Sequence, residues 1–384
     1  MSQPLILLDS SLPYLEGLVE QVAQVKRLAS RDFTPEAVRE VDALIIRSVV
    51  QVDQHLLAGS RVRVVATATA GFDHIDTNYC EAQGIHWSNS PGCNAEGVVQ
   101  YILSALAHWS LDRKRSLQGL TLGIVGVGQV GGRLAKRASA LGLNILCCDP
   151  LRVEQEGLED FVSFETILRE SDIISLHVPL SSEGKYPTYG MVNDETLALC
   201  QRRPLLINAC RGAVTCTQDV LRALDSDLLS DVIIDCWEGE PQISRELAQR
   251  AFLATPHIAG WSSDGKWRGS MMALTYTCQE LSLPLPQGTW DTSVLPTPER
   301  PSIDLNTFPE GERLLRALLH TSDLRPTSDA LRQHPEDFEH LRRSYTFPRE
   351  ASAFHVYHAK ADEVAPLTQL GFAEPSPEDS SAIA

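Results

Sequence analysis

The sequence has no excess of positive charge, no long apolar run and no paired-cysteine motif, and each absence narrows what the chain can be. Its 33 Lys and Arg stand against 50 Asp and Glu, a formal net charge of −17. Such a surface repels polyanions over most of its area, which argues against nucleic acid and anionic membranes as partners. A small anion held by a local basic cluster remains compatible with it. No stretch is long and apolar enough to span a bilayer. The first residues lack a basic segment ahead of an apolar one, so no secretory signal is expected. The nine cysteines include no Cys-x-x-Cys pair, and Cys147 and Cys148 are adjacent within an apolar run. Buried free thiols, rather than a disulfide framework, follow from that spacing, and with them a cytoplasmic location. Neither an internal repeat nor a heptad pattern is present.

What is there is a chain of 384 residues, 43% hydrophobic, too long for one ordinary core and suited to two or three domains. Short apolar runs at 4–8, 43–46 and 62–66 read as strands. Residues 98, 99, 102, 103 and 106 form one apolar stripe of a helix that Asn94 is placed to cap. Further strands are expected at 121–125, 143–148, 173–177, 205–208, 232–235 and 253–255, with helical stretches between several of them. Near-continuous apolar strands alternating with helices mean a parallel sheet covered on both faces. An amphipathic stretch over 271–283 is expected to return the chain to the first domain. After it, Pro284, Pro286, Pro296, Pro298 and Pro301 mark a linker. The remainder reads as a small α+β unit, with a helix near 336–343, a strand near 353–357 and a frayed polar tail from 374.

The run Gly126-Val127-Gly128-Gln129-Val130-Gly131 follows the strand at 121–125 and opens a helix, and Asp149 ends the next strand. A lone glycine motif is weak, but this context is that of a dinucleotide site. Gly126 permits the tight turn, Gly128 lets backbone approach a pyrophosphate, and Gly131 lets helix and strand pack closely. Asp149 would accept from the adenosine ribose hydroxyls and repel a 2′-phosphate, which favours NAD, with Arg152 the one nearby argument for NADP. The fold class expected is α/β: a Rossmann-type doubly wound parallel sheet (98–263) inserted in a second, smaller α/β domain (1–97 with 264–283), plus a small C-terminal α+β domain (284–384).

Three later strands each end on chemistry: Asn208-Ala209-Cys210-Arg211-Gly212, Asp235-Cys236-Trp237-Glu238-Gly239-Glu240 and Thr255-Pro256-His257-Ile258-Ala259-Gly260. Strand ends of an open parallel sheet face one crevice. Oxidising a hydroxy acid requires a base, a partner that orients it and a cation for the carboxylate. His257, Glu240 and Arg211 suit these roles. Each alone reads more simply as an ordinary histidine or a surface charge; together, after the glycine run, the catalytic reading is the better one.

These segments resemble the D-isomer-specific 2-hydroxyacid dehydrogenase family over roughly residues 40–283. The likeness is closest to a branch acting on a phosphorylated sugar acid, carried also by Arg47-Ser48-Val49, Thr67-Ala68-Thr69-Ala70-Gly71, Pro91-Gly92-Cys93-Asn94-Ala95 and the C-terminal Asp337–Tyr345. The resemblance implies NAD as cofactor, bound by Gly126, Gly128, Gln129, Val130, Gly131, Asp149, Val178, Ala209, Cys210, Arg211, Asp235 and Gly260. It implies a small phosphorylated hydroxy-acid substrate contacted by Ser48, Thr69 and Trp261, and a homodimer formed through the C-terminal domain. Trp261 stands where the family has Tyr, and Val178 where it has Thr. Arg47 is a plausible phosphate ligand. Lys266, Arg268, Arg342, Arg343 and Arg349 read more simply as solvated or ion-paired charges, the alternative for the last three being to reach in from a partner subunit. His355 and His358 lack the companions of a metal site, so no metal is expected. The alternatives are a D-3-phosphoglycerate dehydrogenase-like enzyme and a non-catalytic NAD-sensing scaffold or corepressor.

Overall fold

The computed structural model describes residues 3–374, and these form two compact units. The expected polar tail lies, from residue 375 on, outside the described residues. The first unit comprises the chain up to Asn94 together with Ser262–Pro296. Its sheet is built from β1 (Leu5–Asp9), β2 (Gln24–Leu28), β3 (Ala43–Ile46), β4 (Val64–Thr67) and β5 (His86–Ser88). They lie in the order β2-β1-β3-β4-β5, all parallel. Successive residues go to opposite faces: Ile6, Leu8, Ala43 and Ile45 enter one core, Leu7, Leu44 and Ile46 the other. Both faces are therefore buried, which is why these strands read as unbroken apolar runs. The helix Ser263–Glu280 belongs to this unit and is capped by Ser262, whose side chain accepts from the Gly265 N–H.

The second unit holds Ala95–Trp261 and the described residues from Thr297 on. Its sheet takes β6 (Thr121–Val125), β7 (Asn144–Cys148), β8 (Ile173–Leu176), β9 (Leu205–Asn208), β10 (Asp231–Ile234) and β11 (Leu253–Ala254). The order is β11-β10-β9-β8-β6-β7, again parallel. The order reverses beside β6, the topological switch point where such sheets bind ligands. Here too neighbouring residues divide between two cores, as Ile173, Leu205 and Ile207 do against Ile174, Leu206 and Ile234. A small parallel pair, β12 (Ser302–Asp304) and β13 (His355–Tyr357), completes the strands of the described residues.

Three strands have no counterpart in the sequence reading: β2, β5 and β12. β2 and β5 are sheet edges, and all three are mostly exposed or half-buried, so they carry none of the apolar runs that mark central strands. The single stripe expected for the helix Ala95–Arg113 is also corrected. It is buried on nearly every side from Ala95 to Ser110, a helix surrounded by protein rather than amphipathic. The C-terminal segment covers its polar side: Ser104 Oγ donates to the Leu318 carbonyl at 3.4 Å and Gln100 Nε2 to that of Arg349 at 3.1 Å. No helix of the described residues is long and apolar enough to cross a membrane.

Candidate active site

The glycine run forms the turn between β6 and the helix Gly131–Ala138. Gly126 has φ +87°, a conformation that residues with a side chain rarely adopt, and a Cβ there would stand 2.7 Å from the His177 carbonyl. A Cβ on Gly131 would stand 2.1 Å from the Gly126 oxygen, so the helix can approach the turn only without one. At Gly128 the same construction meets nothing within 4 Å. One glycine of the run thus faces open space, as a ligand's close approach requires. No side chain caps the helix, and Val130 stands at its N-cap position; its first N–H groups and the positive end of its dipole suit a phosphate. Gln129 is exposed and accepts from Arg133 through both its carbonyl and its side chain.

Asp149, just after β7, accepts from the Val127 N–H at 2.9 Å and the Arg152 N–H at 3.2 Å. One bond on each oxygen leaves lone pairs for ribose hydroxyls. The Arg152 guanidinium is committed elsewhere, to Glu156 at 2.6 Å and to the Val127 carbonyl at 2.8 Å, which removes the argument for a 2′-phosphate. Val178, two residues beyond β8, has its backbone N–H beside Gly126.

The strand ends carrying chemistry are held by buried polar side chains. Asn208, at the end of β9, donates from Nδ2 to the Arg211 carbonyl at 3.0 Å and accepts from the Cys210 N–H at 3.2 Å. That fixes the loop Ala209–Arg211, and Arg211 Nη1 donates to the Cys210 carbonyl at 2.8 Å. Burial pushes the Cys210 thiol up to about 11, so this cysteine is a packing group rather than a nucleophile. A Cβ on Gly212 would stand 1.9 Å from the Trp237 carbonyl oxygen. The missing Cβ is what lets the Arg211 loop close on the loop bearing Glu240.

Asp235 is 1% exposed and grips the loop after β11. It accepts from Thr255 Oγ1 at 2.7 Å, the Ile258 N–H at 2.8 Å and the Ala259 N–H at 2.9 Å. Burial pushes its carboxyl above the ordinary value, against the opposing pull of His257 and of those three donors. Between the gripped residues His257 sits at φ +55°, a left-handed conformation that costs a non-glycine residue about 1–3 kcal/mol. The strain is held in place by Asp235 from both its backbone and its side chain, since the His257 N–H donates to the Asp235 carbonyl at 2.9 Å. The turn closes at Trp261, whose N–H donates to the Ile258 carbonyl at 2.8 Å, with Gly260 just before it.

That geometry places His257 Nδ1 2.5 Å from Glu240 Oε1. The other Glu240 oxygen accepts from the Trp237 N–H at 3.1 Å, so both ends of the carboxylate are directed. Burial works to raise the Glu240 carboxyl, but the His257 bond and charge, the Trp237 N–H and the Arg342 charge outweigh it and hold it below its ordinary value. Trp237 ties the two loops together, its indole N–H donating to the Thr255 carbonyl at 2.8 Å. Tyr101, on the buried helix, lies 2.7 Å from Thr255 Oγ1. Because Thr255 spends its proton on Asp235, Tyr101 is the donor of that pair. Asn208, Gly212, Trp237, Thr255 and Tyr101 had no role assigned from sequence. A polar residue ending an apolar strand was a visible signal for Asn208; Tyr101 offered none.

In the first unit, Arg47, Ser48 and Thr69 follow the carboxyl ends of the adjacent strands β3 and β4. Arg47 Nη1 donates to Ser11 Oγ at 2.9 Å, and that hydroxyl donates to the buried Asp9 at 2.6 Å. Thr69 Oγ1 donates to the Gly71 carbonyl at 2.9 Å, and Ser48 is exposed. Lys266 and Arg268 lie on the helix Ser263–Glu280, where the Arg268 guanidinium donates to the Cys93 carbonyl. Of the His355–His358 pair, His358 bonds Asp304 at 2.7 Å and His355 is exposed.

Comparison with known proteins identifies the family. Residues 103–259 match the family described as D-isomer specific 2-hydroxyacid dehydrogenase, NAD binding domain. An erythronate-4-phosphate dehydrogenase of Porphyromonas gingivalis is 45% identical over 96% of this chain and 99% of its own. One from Bacteroides thetaiotaomicron is 42% identical over 92% of this chain and 99% of its own. Among solved structures, an NAD+-bound 3-phosphoglycerate dehydrogenase of Entamoeba histolytica superposes with a TM-score of 0.61 at 25% identity, covering 77% of this chain and 99% of that one. The chain belongs to the erythronate-4-phosphate dehydrogenase family, within the D-isomer-specific 2-hydroxyacid dehydrogenases.

Proposed function

We propose that this chain oxidises 4-phospho-D-erythronate to (R)-3-hydroxy-2-oxo-4-phosphooxybutanoate with NAD, a step of pyridoxal 5′-phosphate synthesis. The observation that carries the reading is the His257–Glu240 pair at 2.5 Å, on a loop held by Asp235 in the same sheet as the glycine turn. The full-length likeness to named relatives supports the substrate.

The cofactor would be held by Gly126, Gly128, Gln129, Val130 and Gly131 at its pyrophosphate and by Asp149 at its ribose. Val178, Ala209, Cys210, Arg211, Asp235 and Gly260 are assigned to the rest of it. NAD supplies a nicotinamide ring that accepts the hydride from C2 of the hydroxy acid. The protein's own part is proton transfer and positioning. Glu240 accepts the Nδ1–H of His257, which fixes the tautomer and leaves Nε2 with the lone pair that takes the substrate's hydroxyl proton. Arg211 binds the carboxylate and stabilises the charge that gathers on oxygen as the carbonyl forms. Arg47, Ser48, Thr69 and Trp261 are the proposed substrate contacts. A cytoplasmic homodimer, joined through the C-terminal segment, is the assembly proposed from that segment's likeness to the family. The test is a panel of 4-phosphoerythronate, 3-phosphoglycerate, glycerate and lactate followed by NADH absorbance. The reading requires the first to be the best substrate; a better rate on 3-phosphoglycerate would replace it.

A further inference from the structure

Arg342 has a placement that surface ion pairing does not explain. It stands on the helix Phe338–Ser344, and its guanidinium carbon lies 5.5 Å from the centroid of the Trp261 ring. Phe347 meets the same indole edge-on, with centroids 5.3 Å apart and planes at 72°. The C-terminal segment therefore holds, on two sides, the residue that closes the His257 loop.

The bonding of that guanidinium is incomplete. Its Nε is buried without a hydrogen-bond partner. Among the described residues, the carboxylate within ion-pair reach is Glu339, at 3.7 Å from Nη1, too far for a hydrogen bond. The side chain is still 29% exposed, so with Nε covered the exposure lies toward the outer end of the fork. Leaving a buried donor unpaired is costly, and a cation whose outer donors remain under-used is suited to a doubly charged ligand. The planar group lying against an indole also has its orientation fixed, which favours bidentate contact with a phosphate. The neighbouring Arg343 differs on each count, being 80% exposed and 3.2 Å from Glu339.

We propose that Arg342, resting on Trp261, binds the phosphate end of the substrate and is a specificity-determining residue of the site. The inference rests on the dehydrogenase reading above, in which Arg211 is committed to the carboxylate at the other end. The C-terminal segment would then read the group that separates a phosphorylated hydroxy acid from a plain one.

Steady-state rates on 4-phosphoerythronate and on unphosphorylated erythronate, for the native protein and for Arg342→Met, Arg342→Lys and Arg343→Met, test it. A lost charge-assisted contact predicts a KM for 4-phosphoerythronate raised about ten- to a hundredfold in Arg342→Met. The KM for erythronate and the NAD affinity should change far less than the KM for 4-phosphoerythronate, Lys should recover part of the loss, and Arg343→Met should change nothing. An equal loss on both substrates, or a loss confined to turnover, overturns the proposal and makes Arg342 a brace for Trp261. If Arg342→Met does not fold, the Lys variant carries the same comparison. Native rates on the two compounds judge the dehydrogenase reading separately. Should neither be turned over, calorimetric binding of 4-phosphoerythronate in the presence of NAD replaces KM, with equal affinity in native and variant as the contradicting result.

Discussion

At the carboxyl ends of β6 and β7 the site is shaped by what side chains leave out, whereas at the ends of β9, β10 and β11 it is shaped by side chains that are buried and polar. The turn at 126–131 closes because two glycines let backbone meet backbone, and a third faces open space. The loops bearing Arg211, Glu240 and His257 are long and irregular, and Asn208, Asp235, Trp237 and Thr255 hold them by hydrogen bonds drawn from within the protein. A cofactor's phosphate is recognised by backbone N–H groups, so its cradle needs absence of bulk. A proton-transferring pair needs two side chains fixed to within a fraction of an ångström, and only a surrounding network of satisfied polar groups supplies that. Gly212 is the exception that links the two devices, a missing Cβ that lets one chemical loop lie on another.

The sharpest way to break the comparison is within the glycine turn. Gly131→Ala forces a Cβ onto the Gly126 oxygen, so NAD affinity should fall by more than about a hundredfold and the protein without NAD should lose about 1–3 kcal/mol or more. Gly128→Ala meets nothing, so its melting temperature without NAD should stay native while NAD affinity falls. Thermal melts and NAD titrations of both variants decide it; equal melting temperatures would show that the turn is not sterically closed.

A smaller effect is expected from Glu240→Gln, which keeps the shape of the pair but not its charge. Turnover should drop about ten- to a hundredfold, within the range for acid–base groups. The Glu240 carboxyl is held below its ordinary 4.5. The stability it adds is thus complete above that value and is lost as pH falls through the depressed folded one. The melting-temperature advantage of the native protein over Glu240→Gln should shrink as pH falls below about 4.5. An advantage that grows toward acid would reverse the sign of this argument. The smallest change is Tyr101→Phe. It removes a donor to Thr255 but leaves the Thr255–Asp235 bond, so about 1 kcal/mol and a few degrees of melting temperature should be lost. Turnover should stay within about threefold of native; a larger loss would make Tyr101 part of the proton path.

The same contrast explains what could be read beforehand. Gly126, Gly128, Gly131 and Asp149 are legible because a glycine's spacing states its conformational purpose without the rest of the fold. Arg211, Glu240 and His257 could be picked out because each follows an apolar strand and their side chains carry obvious chemistry. Tyr101 and Thr255 were not legible, since a buried tyrosine on a helix and a threonine ending a strand look like any core residues until the hydrogen bonds are seen. The placement of Arg342 was hidden for the same reason: in sequence it is one of several arginines near a charged helix, and its position over a tryptophan some eighty positions earlier leaves no local trace. The edge strands β2 and β5 went unrecognised because exposed strands need no apolar pattern.

The central claim is that His257, set by Glu240, takes the proton as the hydroxy acid is oxidised. Its most direct test is single-turnover NADH formation from 4-phosphoerythronate and NAD by the native protein and by His257→Asn. The account predicts rapid NADH formation in the first and a fall of about a hundred- to ten-thousand-fold in the second, with NAD affinity retained. NADH formed at the native rate by His257→Asn would contradict it.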